Sequence, residues 1–269
     1  KGSVYSDTSL YKTIEFAFSS FPENPFAIAY QFLNKTRRNN VTGNFTLNQN
    51  TTTSIFSVST GTGGAVLNIG GNFSMTAGTL TKSAGAATLN FNGSTTQTYS
   101  KTGGTISQAL DIAINSGATV DFGTGILSGS TGTFTLDAGG GIITAHASGI
   151  STSASTGCIQ VTGTKTYNAG CNVTYNGSSA QVTGNGLPSA VNNLVINNSS
   201  GVSLGSHVTV NNSLTLTSGS LTTNGYKVTL GTSATLTGET SGRYIIGNLE
   251  AARSVGTSSS TFGGLGVTI

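Results

Sequence analysis

Tyr175-Asn176-Gly177-Ser178-Ser179-Ala180-Gln181 restates Phe91-Asn92-Gly93-Ser94-Thr95-Thr96-Gln97, and Tyr5-Ser6-Asp7-Thr8-Ser9-Leu10-Tyr11 is a looser copy of both. Their leading aromatics, Tyr5, Phe91 and Tyr175, are evenly spaced. The chain therefore carries a long repeat of roughly 85 residues, and self-similarity at a fixed long period marks a stacked or solenoid architecture. The likeness extends beyond the aromatic. Ile112-Ala113-Ile114-Asn115-Ser116-Gly117 parallels Leu194-Val195-Ile196-Asn197-Asn198-Ser199, and Phe134-Thr135-Leu136-Asp137-Ala138-Gly139 parallels Leu214-Thr215-Leu216-Thr217-Ser218-Gly219. Residues 67–81 fit the template of residues 208–222, which places them in the first copy.

The local period is two. Val208-Thr209-Val210, Leu214-Thr215-Leu216-Thr217, Lys227-Val228-Thr229-Leu230 and Ala234-Thr235-Leu236-Thr237 alternate apolar residues with Thr, the pattern of short strands buried on one face. Turn signals separate them: Asn211-Asn212, Ser218-Gly219, Asn224-Gly225 and Gly231. Such strands build either an antiparallel β-sandwich or a parallel β-helix. Asn-Gly turns argue for hairpins. Repetition of whole blocks argues instead for coils laid on one another, at roughly 20 residues per coil and about four coils per long repeat. The expected fold is an all-β parallel solenoid over residues 1–269, with residues 1–60 a degenerate first repeat or cap, 61–165 a second repeat region and 166–269 a third.

Composition agrees. The chain holds 39 Gly, 3 Pro and no Trp, and only 7% of its residues are charged, against about 25% in ordinary globular domains. With 35% apolar residues and a mean hydropathy of +0.05, it also lacks the high charge and low hydrophobicity of disordered chains. Thr, Ser, Asn and Gly supply the polar half. Amide and hydroxyl side chains suit strands stacked in register, because they form ladders where like charges would repel.

Residues 10–38 depart from this texture, holding Phe16, Phe18, Phe21, Phe26 and Phe32 with Tyr11 and Tyr30. One reading is an amphipathic helix capped by Asn24, with Pro25 at its first position and Lys35, Arg37 and Arg38 at its negative end. The other is a divergent first copy in which residues 26–34 take the place of residues 191–198. Continuation of the repeat on both sides favours the second. Arg37-Arg38 is too short a basic run, at a net charge of +3, to predict nucleic-acid binding.

Ionisable residues are too sparse to suggest catalysis. No Lys, Arg, Asp or Glu lies between Arg38 and Lys82 or between Lys165 and Lys227. The four Asp are Asp7, Asp111, Asp121 and Asp137; the last three are the best available carboxylate set for a calcium site or a polysaccharide-cleaving pair. Solvated turn carboxylates are the plainer reading. His146 and His207 lack a second ligand at metal spacing, and the Gly-rich strings at 61–64 and 139–141 have no following helix or Lys to cradle phosphate. No enzyme activity, cofactor or metal is expected.

Cys158 and Cys171 each open a short strand-like run, Cys158-Ile159-Gln160-Val161 and Cys171-Asn172-Val173-Thr174. They are a disulfide candidate, worth about 3 kcal/mol in the chain-entropy model and implying an oxidising, exported setting. The alternative is two small buried hydrophobes. Sequons such as Asn44-Phe45-Thr46, Asn92-Gly93-Ser94 and Asn172-Val173-Thr174 are expected by chance in a chain this rich in Asn, Ser and Thr. No leader or apolar span is visible, and the repeat texture reaching both ends predicts a fragment of a longer exported protein.

The succession Tyr175-Asn176-Gly177-Ser178-Ser179-Ala180-Gln181-Val182-Thr183-Gly184-Asn185-Gly186-Leu187-Pro188, then residues 191–202 and 214–222, resembles repeat regions of large secreted, adhesin-like surface proteins of the Bacteroidota. Gly242-Arg243-Tyr244-Ile245-Ile246-Gly247-Asn248-Leu249 is similar to the strand that closes such a block. The resemblance implies export by the type IX secretion route and an extracellular or cell-surface location. The sorting domain of that family is absent here. The expected function is a non-enzymatic structural or adhesive surface element, a stiff rod or filament subunit. Its partners would be further copies or repeats of the parent protein, or surface glycans, with neither nucleic acid nor membrane insertion. Two rivals stand beside it. One is a polysaccharide-binding or polysaccharide-processing β-helix; the other is an ice- or surface-binding solenoid presenting Thr209, Thr215, Thr217, Thr222, Thr229, Thr235 and Thr237 as an array.

Overall fold

Stacked strands with alternating burial generate a parallel β-solenoid whose turns follow one another roughly 22 residues apart. The computed structural model describes residues 9–11, 14–16, 37–48, 55–59, 62–251 and 253. No helix occurs among them. The helical reading centred on Asn24 and Pro25 lies outside the described residues.

Contacts divide the chain into two units, one made of residues 1–121, 125–135 and 160–166 and the other of residues 122–124, 136–159 and 167–269. In the first unit the turns are built from short strands in three stacks. One stack runs Ser9–Tyr11, Arg37–Val41, Ala65–Ile69, Ala87–Phe91 and Asp111–Ile114. A second runs Ile14–Phe16, Phe45–Leu47, Phe73–Met75, Gln97–Lys101 and Thr119–Asp121. The third joins Ile55–Ser57, Thr79–Thr81 and Thr105–Ile106. All of these pairings are parallel, so the antiparallel sandwich is not the fold. Asn-Gly turns close corners between successive strands of a coil here, where a sandwich would use them as hairpins.

Parallel register places each residue over its counterpart one turn away. Inward positions therefore form columns, such as Val41–Ile69–Phe91–Ile114 and Phe56–Leu80–Ile106, all buried. Phe45, Phe73 and Tyr99 stack along one column with ring centroids 5.5 and 5.1 Å apart and interplanar angles of 14° and 7°. Near-parallel rings at this spacing match the offset stacking that aromatic quadrupoles favour.

The second unit repeats the scheme with longer strands. Gly141–Thr144, Asn172–Tyr175, Ala190–Asn197 and Val208–Ser218 stack in order, and Thr235–Thr237 follows on residues 213–215. Gln181–Val182, Val202–Ser203, Leu221–Leu230 and Ile245–Ala251 stack beside them. Val173–Leu194–Leu214–Leu236 is a buried column of the same kind. Turn length is not constant. The turn that carries Gly141 to its partner Asn172 is much longer than the one that carries Val191 to Val210.

That variation corrects the expectation of four equal coils per long repeat. Phe91 stacks between Ile69 and Ile114 in one sheet, and Tyr175 between Thr144 and Ile196 in another. The interval from Phe91 to Tyr175 is thus not a whole number of turns. The repeated sequence rebuilds the same corner on a strand of a different sheet.

Candidate functional site

The corner that the repeat encodes is a glutamine clamp. Phe91 and Tyr175 end strands with their rings inward, and the chain then turns at Asn92-Gly93 and Asn176-Gly177. Gly177 N donates to Gln181 Oε1 at 2.7 Å, and Gln181 Nε2 donates to the Thr144 and His146 carbonyls of the preceding turn, both at 3.0 Å. Asn198 Nδ2 donates to the same Gln181 oxygen at 2.8 Å. All four hydrogen-bonding positions of the Gln181 amide are thereby filled while the residue is 3% exposed. Gln97 repeats the arrangement, accepting from Gly93 N at 2.8 Å and donating to the Ile69 carbonyl at 2.9 Å and to the Gly71 carbonyl. Glycine is required at the corner because a Cβ at residue 177 would lie 2.7 Å from Gln181 Cδ. Sequence reading found the motif but not this role; the signal was a Gln held at the same offset after the aromatic in both copies, Phe91 to Gln97 and Tyr175 to Gln181.

Outward positions form ladders. Asn68 Nδ2 donates to Asn40 Oδ1 at 2.6 Å, and Asn90 Nδ2 donates to Asn68 Oδ1 at 2.9 Å. In the second unit Asn193 Nδ2 donates to Asn172 Oδ1 at 2.7 Å, and Asn212 Nδ2 donates to Asn193 Oδ1 at 2.7 Å. Corner asparagines bind the next turn's backbone: Asn44 Oδ1 accepts from Asn72 N and Asn72 Oδ1 from Thr98 N. The Asn44 and Asn172 sequons therefore contribute side chains already committed to stacking.

The seven threonines fall in several columns. Thr209 and Thr229 stack in one column; Thr215 and Thr237 stack in another, beside Thr235 over Ser213; Thr222 lies between Ser203 and Ile246 in a third. Thr217 is exposed, with its carbonyl bound by Arg243 Nη1 at 2.8 Å. Ser213, Thr215, Thr235 and Thr237 make a contiguous hydroxyl patch. Thr237 Oγ1 donates to Thr215 Oγ1 at 3.1 Å, and the Ser213 and Thr215 hydroxyls are 3.1 Å apart.

The carboxylates are likewise dispersed. Asp111 caps the neighbouring turn, accepting from both Thr133 N and Thr133 Oγ1 at 2.8 Å. Asp121 ends Thr119–Asp121 in a different sheet, and Asp137 follows Phe134–Leu136 in the other unit. Among the described residues no group of three or more His, Cys, Asp or Glu is gathered as a metal site. His146 Nδ1 accepts from Ser148 N at 3.1 Å, which fixes a turn. His207 packs edge-on against Tyr226, with ring centroids 5.4 Å apart. Arg38 is exposed in a column with the uncharged Val66 and Thr88.

Cys158 and Cys171 are free thiols, fully buried, which corrects the disulfide expectation in this structure. The Cys158 thiol hydrogen-bonds with the Thr144 side chain, and Cys171 immediately precedes Asn172, the partner of Gly141. Burial pushes the Cys158 thiol up to about 12 and the Cys171 thiol up to about 11. Burial also raises Tyr175, whose hydroxyl donates to the Thr183 carbonyl at 2.7 Å. These groups are core.

No protein-family model, curated protein or solved structure matches the chain.

Proposed function

We propose that the chain is an extracellular structural or adhesive surface element, a stiff repeat module or filament subunit without catalytic activity. The observation that carries this reading is the pair of asparagine ladders, Asn40–Asn68–Asn90 and Asn172–Asn193–Asn212. Each commits outward side chains to bonds between turns, a pattern that resists extension along the stacking direction and leaves an uncharged amide and hydroxyl surface. Such a surface makes many weak contacts rather than one strong one, the chemistry of glycan or copy-to-copy adhesion. Export by the type IX route belongs to the same proposal and rests on the resemblance of residues 175–222 to Bacteroidota repeats.

Force spectroscopy on tandem copies, paired with negative-stain imaging of the purified chain, tests the mechanical part. The reading expects stepwise unfolding at high force and elongated or end-to-end particles. Low-force unfolding with compact isolated particles would overturn it. The Ser213, Thr215, Thr235 and Thr237 patch supports a smaller reading, a surface-binding face. Thermal hysteresis or mineral adsorption lost on Thr215→Val and Thr237→Val would favour it.

A further inference from the structure

We propose that Asn224 is a site of spontaneous deamidation and isoaspartate formation in the folded chain. The sequence contains four Asn-Gly steps, Asn92-Gly93, Asn176-Gly177, Asn185-Gly186 and Asn224-Gly225. In the reaction the amide nitrogen of the glycine attacks the asparagine Cγ. A carbon–nitrogen bond forms, the side-chain amide leaves as ammonia, and the main-chain amide proton passes to solvent base. Water then opens the cyclic imide to aspartate or isoaspartate. No oxidant or reductant is involved. The attacking nitrogen must be free to move onto Cγ, so its hydrogen bonding and burial control the rate.

Three of the four steps are restrained. Gly93 N and Gly177 N are donated to the buried Gln97 and Gln181 amides at 2.8 and 2.7 Å. Gly186 N donates to the Ile150 carbonyl at 3.0 Å, and Asn185 Oδ1 accepts from Ser151 Oγ and Thr152 N. Gly93, Gly177 and Gly186 are all buried.

Asn224-Gly225 differs in exposure. Both residues are exposed, and nothing lies within 4 Å of where a Cβ on Gly225 would be. Their φ angles of 51° and 83° are left-handed, the region that Gly and Asn adopt most readily. They also occupy the stretch where register with Ile245–Ala251 shifts between Thr222 and Lys227. A main-chain methylene inserted there interrupts no registered pair, so the coil tolerates the product. Each event adds one negative charge and lowers the formal net charge of +3 to +2 (3 − 1).

The experiment is peptide mapping of the purified chain by mass spectrometry after incubation at mildly alkaline pH, natively folded and in denaturant, with isoaspartyl peptides identified by their separate elution. Unfolded, the four asparagines should convert at comparable rates because each precedes glycine. Folded, Asn224 should convert about tenfold or more faster than Asn92, Asn176 or Asn185, the factor that enclosure of the other three steps in buried, hydrogen-bonded corners imposes. Asn224→Ser should abolish most of the native-state conversion with an unchanged circular dichroism spectrum. Equal native rates at all four sites, or fastest conversion at any of the other three, would overturn the proposal.

Discussion

Replacing Gln181 by Leu removes the amide that holds a corner shut while keeping side-chain volume close to constant. Four hydrogen bonds are lost, to Gly177 N, Asn198 Nδ2 and the Thr144 and His146 carbonyls. Asn198 Nδ2 keeps the Ser179 carbonyl at 2.7 Å, so its loss is partial. The Thr144 and His146 carbonyls keep Asn176 N at 3.0 Å and Gly149 N at 2.8 Å, so Gly177 N is the group that loses its partner, and a buried polar group in that position costs about 1–3 kcal/mol. Relaxation and stray water recover part of this, and the added apolar surface returns a little more. The net expectation is about 1–3 kcal/mol, within the ordinary range for a single substitution. Equilibrium denaturation followed by circular dichroism should show that loss, and native-state hydrogen exchange should show Gly177 N–H losing protection ahead of the Val173 and Leu194 amides. A loss under about 1 kcal/mol with Gly177 still protected would refute the idea that the clamp, and not strand pairing alone, secures the corner.

Gly177→Ala tests the same corner from its backbone, since its methyl would press on Gln181 Cδ at 2.7 Å; a loss of about 1–3 kcal/mol is expected in the same assay. Asn68→Ala breaks both bonds of the central rung of its ladder and should cost about 1–2 kcal/mol, whereas Thr229→Ala on an outward face without such bonds should stay within about 0.5 kcal/mol. Cys158 and Cys171 should resist thiol reagents until the chain unfolds, and reductant should leave the melting temperature unchanged. Their folded pKa values, about 12 and about 11, lie above the ordinary 9.0. The folded state therefore holds protons that the unfolded state releases, and stability is full below pH 9 and lost as pH rises from there toward 12. Denaturation midpoints measured from pH 8 to 11 check the sign, and a rise across that interval would contradict it.

Much of the fold was legible because stacking copies sequence directly into space. Alternating Val, Leu and Thr at 208–216 specified one buried and one outward face, and the structure buries Val208, Val210, Leu214 and Leu216. Amide-rich composition anticipated ladders, and Asn40–Asn68–Asn90 is one. Which column each threonine joins was not legible, because strand alternation assigns each Thr to an outward position without saying which residue of the next turn it meets. Only the corners decide it, and their lengths differ from turn to turn, since Val191 meets Val210 but Gly141 meets the more distant Asn172. The clamp was missed for a related reason: Gln97 and Gln181 lie close in sequence to their aromatics, but the carbonyls they bind belong to the preceding turn, at Ile69 and Thr144.

Local sequence was enough to specify the solenoid class, its parallel columns and the recurrence of one corner, because period-two burial and near-identical corner motifs are properties that hydrophobic burial reads out strand by strand. Which residues meet across turns was settled only when the coil was assembled. Assembly left Cys158 and Cys171 as buried free thiols, set Asp111 and Asp121 in different sheets, and placed Tyr175 in a different sheet from Phe91. Contacts between turns depend on how many residues each coil uses, and that number differs between the turn from Gly141 to Asn172 and the turn from Val191 to Val210.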